Sequence, residues 1–210
     1  NGLEFLLFGS GPVNSTGVEA GAFINPFDMS DLPYIQVFFL SNMYMNSDTI
    51  GKIKEDYGMS ITTVVTKPKS RGSVKLKSNN PKESPAIQFN YMQTDHDLRE
   101  MREGIKIAKE IFHQKEFDEF RGKEIAPGDN INNDDDLNSF IRDKGDTAYH
   151  PSCTCKMGKD SKSVVDEQLK VYGIDNLRIV DASIMPNIIT GNLNASTVMI
   201  AEKAADMIIW

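Results

Sequence analysis

Leu98, Met101, Ile105, Ala108 and Phe112 recur at intervals of 3, 4, 3 and 4 residues. A helix of 3.6 residues per turn puts such positions on one stripe, whereas a strand scatters them over both faces. The spacing therefore predicts an amphipathic helix opened by Thr94 or Asp95. Upstream the pattern is that of strands. The run "YIQVFFL" at 34–40 is β-branched and aromatic, and "SITTVVTKPKSRGSVKL" at 60–76 reads as strand, turn, strand. Pro68 and Gly72 punctuate the second run, and Val64/Thr66 and Val74/Leu76 suit sheet faces. A further strand is expected in "PAIQFNYM" at 85–92. Strands followed by a helix point to an α+β fold, an antiparallel sheet flanked by helices.

Beyond this helix, "NNDDDLNSFIRDKG" at 132–145 predicts a shorter one. Asp134, Asp135 and Asp136 fall in its first turn, where the helix dipole favours anions, and Gly145 suits its end. They lack the spaced ligands and terminal Glu of a calcium loop. His96 and His113 lie off the long helix's apolar stripe and are read as solvated. "NLRIVDAS" at 176–183 predicts a short apolar strand, and "PNIITGNLN" at 186–194 a loop. Residues 195–209 predict a strong helix with apolar Val198, Met199, Ala201, Ala205 and Ile208. Its N-terminus, just after Asn194, offers free N–H groups to an electron-rich ligand.

The chain has 210 residues, 40% apolar and 25% charged, with a net charge of −7. Such a balance supports a core and opposes general binding to nucleic acid or anionic membrane. No apolar run approaches the ~20 residues of a membrane helix. Residues 1–8, "NGLEFLLF", contain no initiator Met, basic segment or cleavage site, and the expectation is a chain that begins inside a longer polypeptide. "GSGPVNSTG" at 9–17 is a turn-rich loop. Asn14 breaks the G-x-G-x-x-G spacing, no Lys-Ser/Thr follows, and Asn14-Ser15-Thr16 forms a sequon.

Both cysteines, Cys153 and Cys155, lie in "YHPSCTCKMG" at 149–158, just after His150. Three readings compete. A metal site needs three or four ligands, and no second Cys/His cluster exists. A disulfide between i and i+2 closes a strained ring, and Cys-x-Cys is not the Cys-x-x-Cys redox pattern. Buried, inert thiols on one strand face are the simpler expectation for the cysteines. His150, stiffened by Pro151, suits a general base because imidazole titrates near neutrality.

The tract resembles the H-P-x-G-T-C-x-M-G signature of glucose–methanol–choline (GMC) flavoprotein oxidoreductases. "VVDEQLKVYGIDNLRIVDASIMP" and "GNLNASTVMIAEKAADMI" resemble the segments that follow it in that family. "KPKSRGSVKL" and "NPKESPAIQFNYM" resemble its substrate-domain strands. The resemblance spans nearly the whole chain and is nearest to the insect glucose-dehydrogenase-like branch. It implies a substrate-binding domain over 1–148. Residues 149–210 would then be the catalytic segment and the C-terminal part of a Rossmann-like FAD-binding domain.

The resemblance further implies FAD as cofactor and a small alcohol or sugar as substrate. It implies oxygen or a quinone as electron acceptor, and an extracellular or secreted setting. His150 falls on the family's catalytic histidine and Asn194 on its second catalytic position. Asp181 and Ala182 fall on a turn near the ribityl–phosphate region of the flavin. Asn194, Ala195 and Ser196 fall where the last helix meets the flavin ring. His150 would take the hydroxyl proton, Asn194 would hold the alcohol oxygen, and hydride would pass to flavin N5. N–H groups at 195–197 would stabilise charge on the reduced ring.

Two departures stand out: Cys153 replaces a frequent Gly, and no G-x-G-x-x-G fingerprint is present. The missing N-terminal FAD-binding portion would carry that fingerprint. A non-oxidising protein on the same scaffold, a flavin-dependent lyase or a binding protein, is the alternative.

Overall fold

The structure, a computed structural model, describes residues 2–11, 14–28, 30–44 and 57–209. Pro12 and Val13 of the expected glycine-rich loop lie outside the described residues. The described chain forms two compact units that interleave in sequence. The first comprises residues 1–65 and 95–144, the second 66–94 and 145–210.

The first unit is built on an antiparallel sheet of β1 (Ala20–Ile24), β2 (Ile35–Leu40) and β3 (Ser60–Val65), in that order. β2 is central, with Ile24 opposite Ile35 and Ile35 opposite Val65. Ile35 and Val37 are buried, as their alternation on a covered sheet face requires. The predicted long helix forms as α2 (Asp95–Phe112) and packs on β2 and β3, with Leu98 and Ala108 of the predicted stripe buried. A Cβ at Gly104 would lie 3.2 Å from Thr63 Cβ and 3.4 Å from Ile35 Cγ2, so the small residue sets how closely helix and sheet approach. Phe39, Phe112 and Phe117 form an aromatic cluster with centroids 5.5–6.4 Å apart.

The predicted short helix forms as α3 (Asp134–Lys144), with Leu137 and Ile141 buried. Its cap is Asn133, which accepts from Asp136 N–H and donates to the Asp136 carboxylate. Asp134 instead bridges to α2, at 3.1 Å from Lys106 and 3.4 Å from Arg102. Lys109 ties residues 124–132 to α2 through Glu124 at 3.1 Å and the Ile131 carbonyl at 3.0 Å. A short helix, α1 (Gly2–Phe8), and β1 were not expected from the sequence patterns. Their side chains are almost all exposed and show no apolar period for a core to select.

The second unit holds a two-stranded antiparallel sheet, β4 (Ser73–Lys75) with β5 (Ala86–Gln88). The two strands expected over 60–76 therefore form but join different sheets. A Cβ on Gly72 would stand 2.3 Å from the Gln88 carbonyl, so only glycine lets the two backbones approach there. The core of this unit is Val165, Leu169, Ile184 and Ala204, with Met157, Ile179, Ile200 and Met207 packed around it.

Two sequence expectations are corrected here. Residues 176–183 form no strand; they make one isolated bridge, Lys170 with Arg178, and then a 3-10 turn at Ala182–Ile184. No neighbouring segment among the described residues runs beside them for more than one pair, and a strand exists only by pairing. The last helix, α4 (Asn194–Ile209), starts at Asn194 rather than after it. It turns Ile200, Ala204 and Met207 inward, leaving Val198, Met199 and Ile208 more than half exposed.

Candidate active site

Three backbone hydrogen bonds lock the His150 tract onto the turn that follows the apolar run. Cys153, Cys155 and Met157 donate to the carbonyls of Ala182, Ser183 and Ile184 at 3.3, 2.9 and 2.7 Å. Alternate N–H groups of one segment thus meet consecutive carbonyls of a tight turn. Asp181 shapes that turn by accepting from Ser183 N–H at 2.7 Å. Ile184 and Met185, both buried, anchor the turn to the core beside α4. Two regions far apart in the sequence, 153–157 and 182–184, are therefore one structural piece.

The imidazole of His150 meets an asparagine, and that asparagine is Asn192: its Nδ2 lies 2.7 Å from Nε2. Leu193, 5% exposed, separates Asn192 from Asn194, the first residue of α4. Its carbonyl accepts from Thr197 N–H at 2.9 Å and Thr197 Oγ1–H at 2.8 Å, closing the first turn of the helix. Asn194 and Ala195 are exposed and Ser196 half-buried at that turn.

Sequence reasoning missed Asn192. The signal was available, since Asn-x-Asn offers two candidate amides, but their spacing does not say which one meets the ring.

The cysteines differ from the expectation of buried thiols on a strand face. Both are free and half-buried, and no strand forms there. Cys153 has φ +71°, in the left-handed region, and its Sγ lies 3.1 Å from Ser152 Oγ. The resemblance implies a glycine at this position, and a glycine would hold this φ without the strain that a Cβ brings. Tyr149, immediately before His150, is also left-handed at φ +59°, and its side chain is 74% exposed. Among the described residues, no group of three or more His, Cys, Asp or Glu side chains is arranged to hold a metal ion.

His96 is not solvated as the sequence suggested. Its ring stacks edge-on against Tyr34 at 5.7 Å and its Nδ1 lies 3.8 Å from Glu100 Oε1. His113 is exposed, its Nδ1 at 2.6 Å from the Lys109 carbonyl.

Comparison with known proteins gives a consistent result. The family model described as "GMC oxidoreductase" matches residues 68–201. An oxygen-dependent choline dehydrogenase of Yersinia pseudotuberculosis serotype O:1b (strain IP 31758) is 48% identical over 207 residues, covering 99% of this chain and 36% of that protein. One of Acinetobacter baumannii (strain AYE) is 49% identical over 207 residues, covering 99% of this chain and 37% of that protein. The chain thus spans little more than a third of the relatives it matches. Among solved structures, a pyridoxine 4-oxidase from Mesorbium loti superposes with TM-score 0.82 at 31% identity, over 90% of this chain and 37% of that one. A formate oxidase of Aspergillus oryzae RIB40, from work on its FAD modification, superposes with TM-score 0.83 at 28% identity, over 98% of this chain and 40% of that one. The antiparallel sheets and helices described above are accordingly those of this group of enzymes. On the family match and on near-complete coverage by its relatives, this chain belongs to the GMC oxidoreductase family.

Proposed function

We propose that this chain supplies the substrate-binding part (1–148) and catalytic segment (149–210) of an FAD-dependent enzyme. The enzyme oxidises the CH–OH group of a small alcohol, with His150 as proton acceptor. The observation that carries this reading is the joining of His150, the 181–185 turn and the start of α4 within one compact unit. His150 takes the hydroxyl proton, so that electron density moves toward the carbon as its hydride leaves. In this reading Asn194, exposed at the head of α4, holds the alcohol oxygen.

The residues present fit a flavin. Ala195 and Ser196 are small, so a planar ring can approach the first turn of α4, whose N–H groups and dipole favour an electron-rich edge. Asp181 and Ala182 lie on the turn beside it. When bound, the flavin supplies the hydride acceptor, and oxygen or a quinone reoxidises it.

For the substrate, a quaternary-ammonium alcohol of the choline type is the best-supported choice. The relatives bear that name over 99% of this chain. The net charge of −7 attracts a cation, and Tyr149, the residue before His150 in the chain, has an exposed ring of the kind that makes cation–π contacts.

The test is anaerobic reduction of the flavin in the full-length protein by choline, compared with ethanol and glucose. Choline is expected to bleach the flavin fastest, and His150→Ala to slow bleaching by about 10²–10⁴-fold. Flavin that stays oxidised with every alcohol would favour the lyase or binding-protein alternative. Bleaching unaffected by His150→Ala would remove the histidine's assigned role.

A further inference from the structure

The contact between Asn192 and His150 has a chemical consequence for any reaction that uses the histidine as a base. We propose that Asn192 is the positioning residue of His150: it holds the ring as the Nδ1–H tautomer with Nε2 as the accepting nitrogen, and serves both protonation states. This inference rests on the reading of His150 as proton acceptor.

A neutral imidazole has one donor nitrogen and one acceptor, and the partner of each decides which is which. An amide nitrogen only donates. With Asn192 Nδ2 at 2.7 Å, Nε2 must carry the lone pair and Nδ1 the proton. Nε2 is then the nitrogen that receives the alcohol's proton: the substrate hydroxyl takes the place of the Asn192 amide on its one lone pair, and the O–H bond breaks as the N–H bond forms. Once protonated, Nε2 is a donor, and after the product leaves a half-turn of the same amide presents Oδ1 to accept from it. Asparagine is suited to both states. An aspartate at this place would accept from Nε2–H, opposing the Nδ1–H tautomer and favouring the charged ring, and a leucine would match neither state.

The rest of the loop is built to hold Asn192 still. Leu193 is buried at 5% exposure, and its carbonyl is held by Thr197 N–H and Oγ1–H at 2.9 and 2.8 Å. On the other side, Cys153 N–H donates to the Ala182 carbonyl at 3.3 Å, fixing the chain three residues after His150. Both partners of the contact belong to the same compact unit. Asn194 starts α4 on the far side of Leu193. In this proposal Asn192 serves the base, and Asn194 keeps the substrate-holding role proposed above.

The experiment uses the full-length flavin-loaded enzyme and its variants Asn192→Asp, Asn192→Leu and His150→Ala. The rate of anaerobic flavin reduction by choline is followed against pH. The imidazole nitrogen shifts are read in protein labelled with ¹⁵N-histidine. Asn192→Leu is expected to slow reduction about 10–100-fold and to give a mixture of ring tautomers where the parent shows Nδ1–H alone. Asn192→Asp is expected to move the acidic limb of the rate profile up by about one pH unit, with the rate recovering above it, because a carboxylate holds the ring in its protonated, non-basic form. A residue that only shapes the loop would lower the rate at every pH and leave limb and tautomer unchanged. That result in Asn192→Asp overturns the inference, whether or not Asn192→Leu folds. If His150→Ala itself reduces flavin at the parental rate, the underlying reading of the histidine fails instead.

Discussion

Glu100 is 2% exposed, yet its Oε2 has no hydrogen-bond partner among the described residues. Burial raises its carboxyl above the ordinary range, against the opposing pull of His96 and Arg99 and with the help of Asp97 and Glu103. A folded-state value raised above the unfolded one means that the unfolded chain releases this proton first as pH rises. Stability is then highest below the unfolded value, falls as pH climbs to the folded value, and stays lowered at neutrality. Glu100→Gln removes the titration. It is expected to add on the order of 1 kcal/mol at neutral pH, and to flatten the decline that begins above the ordinary carboxylate range, in urea unfolding of variant and parent. An unchanged slope would show that another group causes the decline. The apolar stripe of α2 was legible as sequence; the burial of a glutamate beside it was not, because periodicity ranks residues by type and Glu100 is charged.

At the scale of elements, the most informative piece is the segment from Tyr149 to Gly158. Its rungs at 153, 155 and 157 land on 182, 183 and 184, and the first rung belongs to a residue held at φ +71°. Cys153→Gly is expected to stabilise the protein by up to about 1 kcal/mol, since glycine adopts this φ without the Cβ clash and gives back part of the gain as unfolded-state entropy. A lower denaturation midpoint in this variant would mean that the Cys153 side chain contributes more packing than its backbone costs. The other elements divide by cause. α2 was predicted because its stripe is long and periodic, and α3 because acidic residues mark its first turn and Gly145 its end. The strand expected at 176–183 was not realised, because its apolar run reports burial and not pairing. α4 was placed to within its first residue, but the residues that make it look apolar lie mostly on its exposed side.

For the whole molecule, this exposed face bears on cofactor retention. Val198, Met199, Ile208 and Ile209 of α4 are 53–72% exposed, and Leu3, Leu6 and Phe8 of α1 are 70–80% exposed. Apolar patches of this kind are uncommon on a free surface and mark contact sites. The chain also contains no G-x-G-x-x-G turn to hold a pyrophosphate. Expressed as these 210 residues alone, it is expected to purify with far less than stoichiometric flavin, read from its visible absorbance. A stoichiometrically yellow product would show that 149–210 suffices to anchor the cofactor.

The family and the fold class were readable from residue order, because a His-Pro tract, a closing helix and a 3–4 apolar period are local patterns. Their chemical reasons are local too: ring-locked φ, helix geometry and imidazole basicity. The choice of Asn192 over Asn194 as the ring's neighbour, the joining of 153–157 to 182–184, and the inward face of α4 were decided only by tertiary structure. Each depends on which of several similar side chains the core buries, and burial is a property of the packed chain, not of any residue in it.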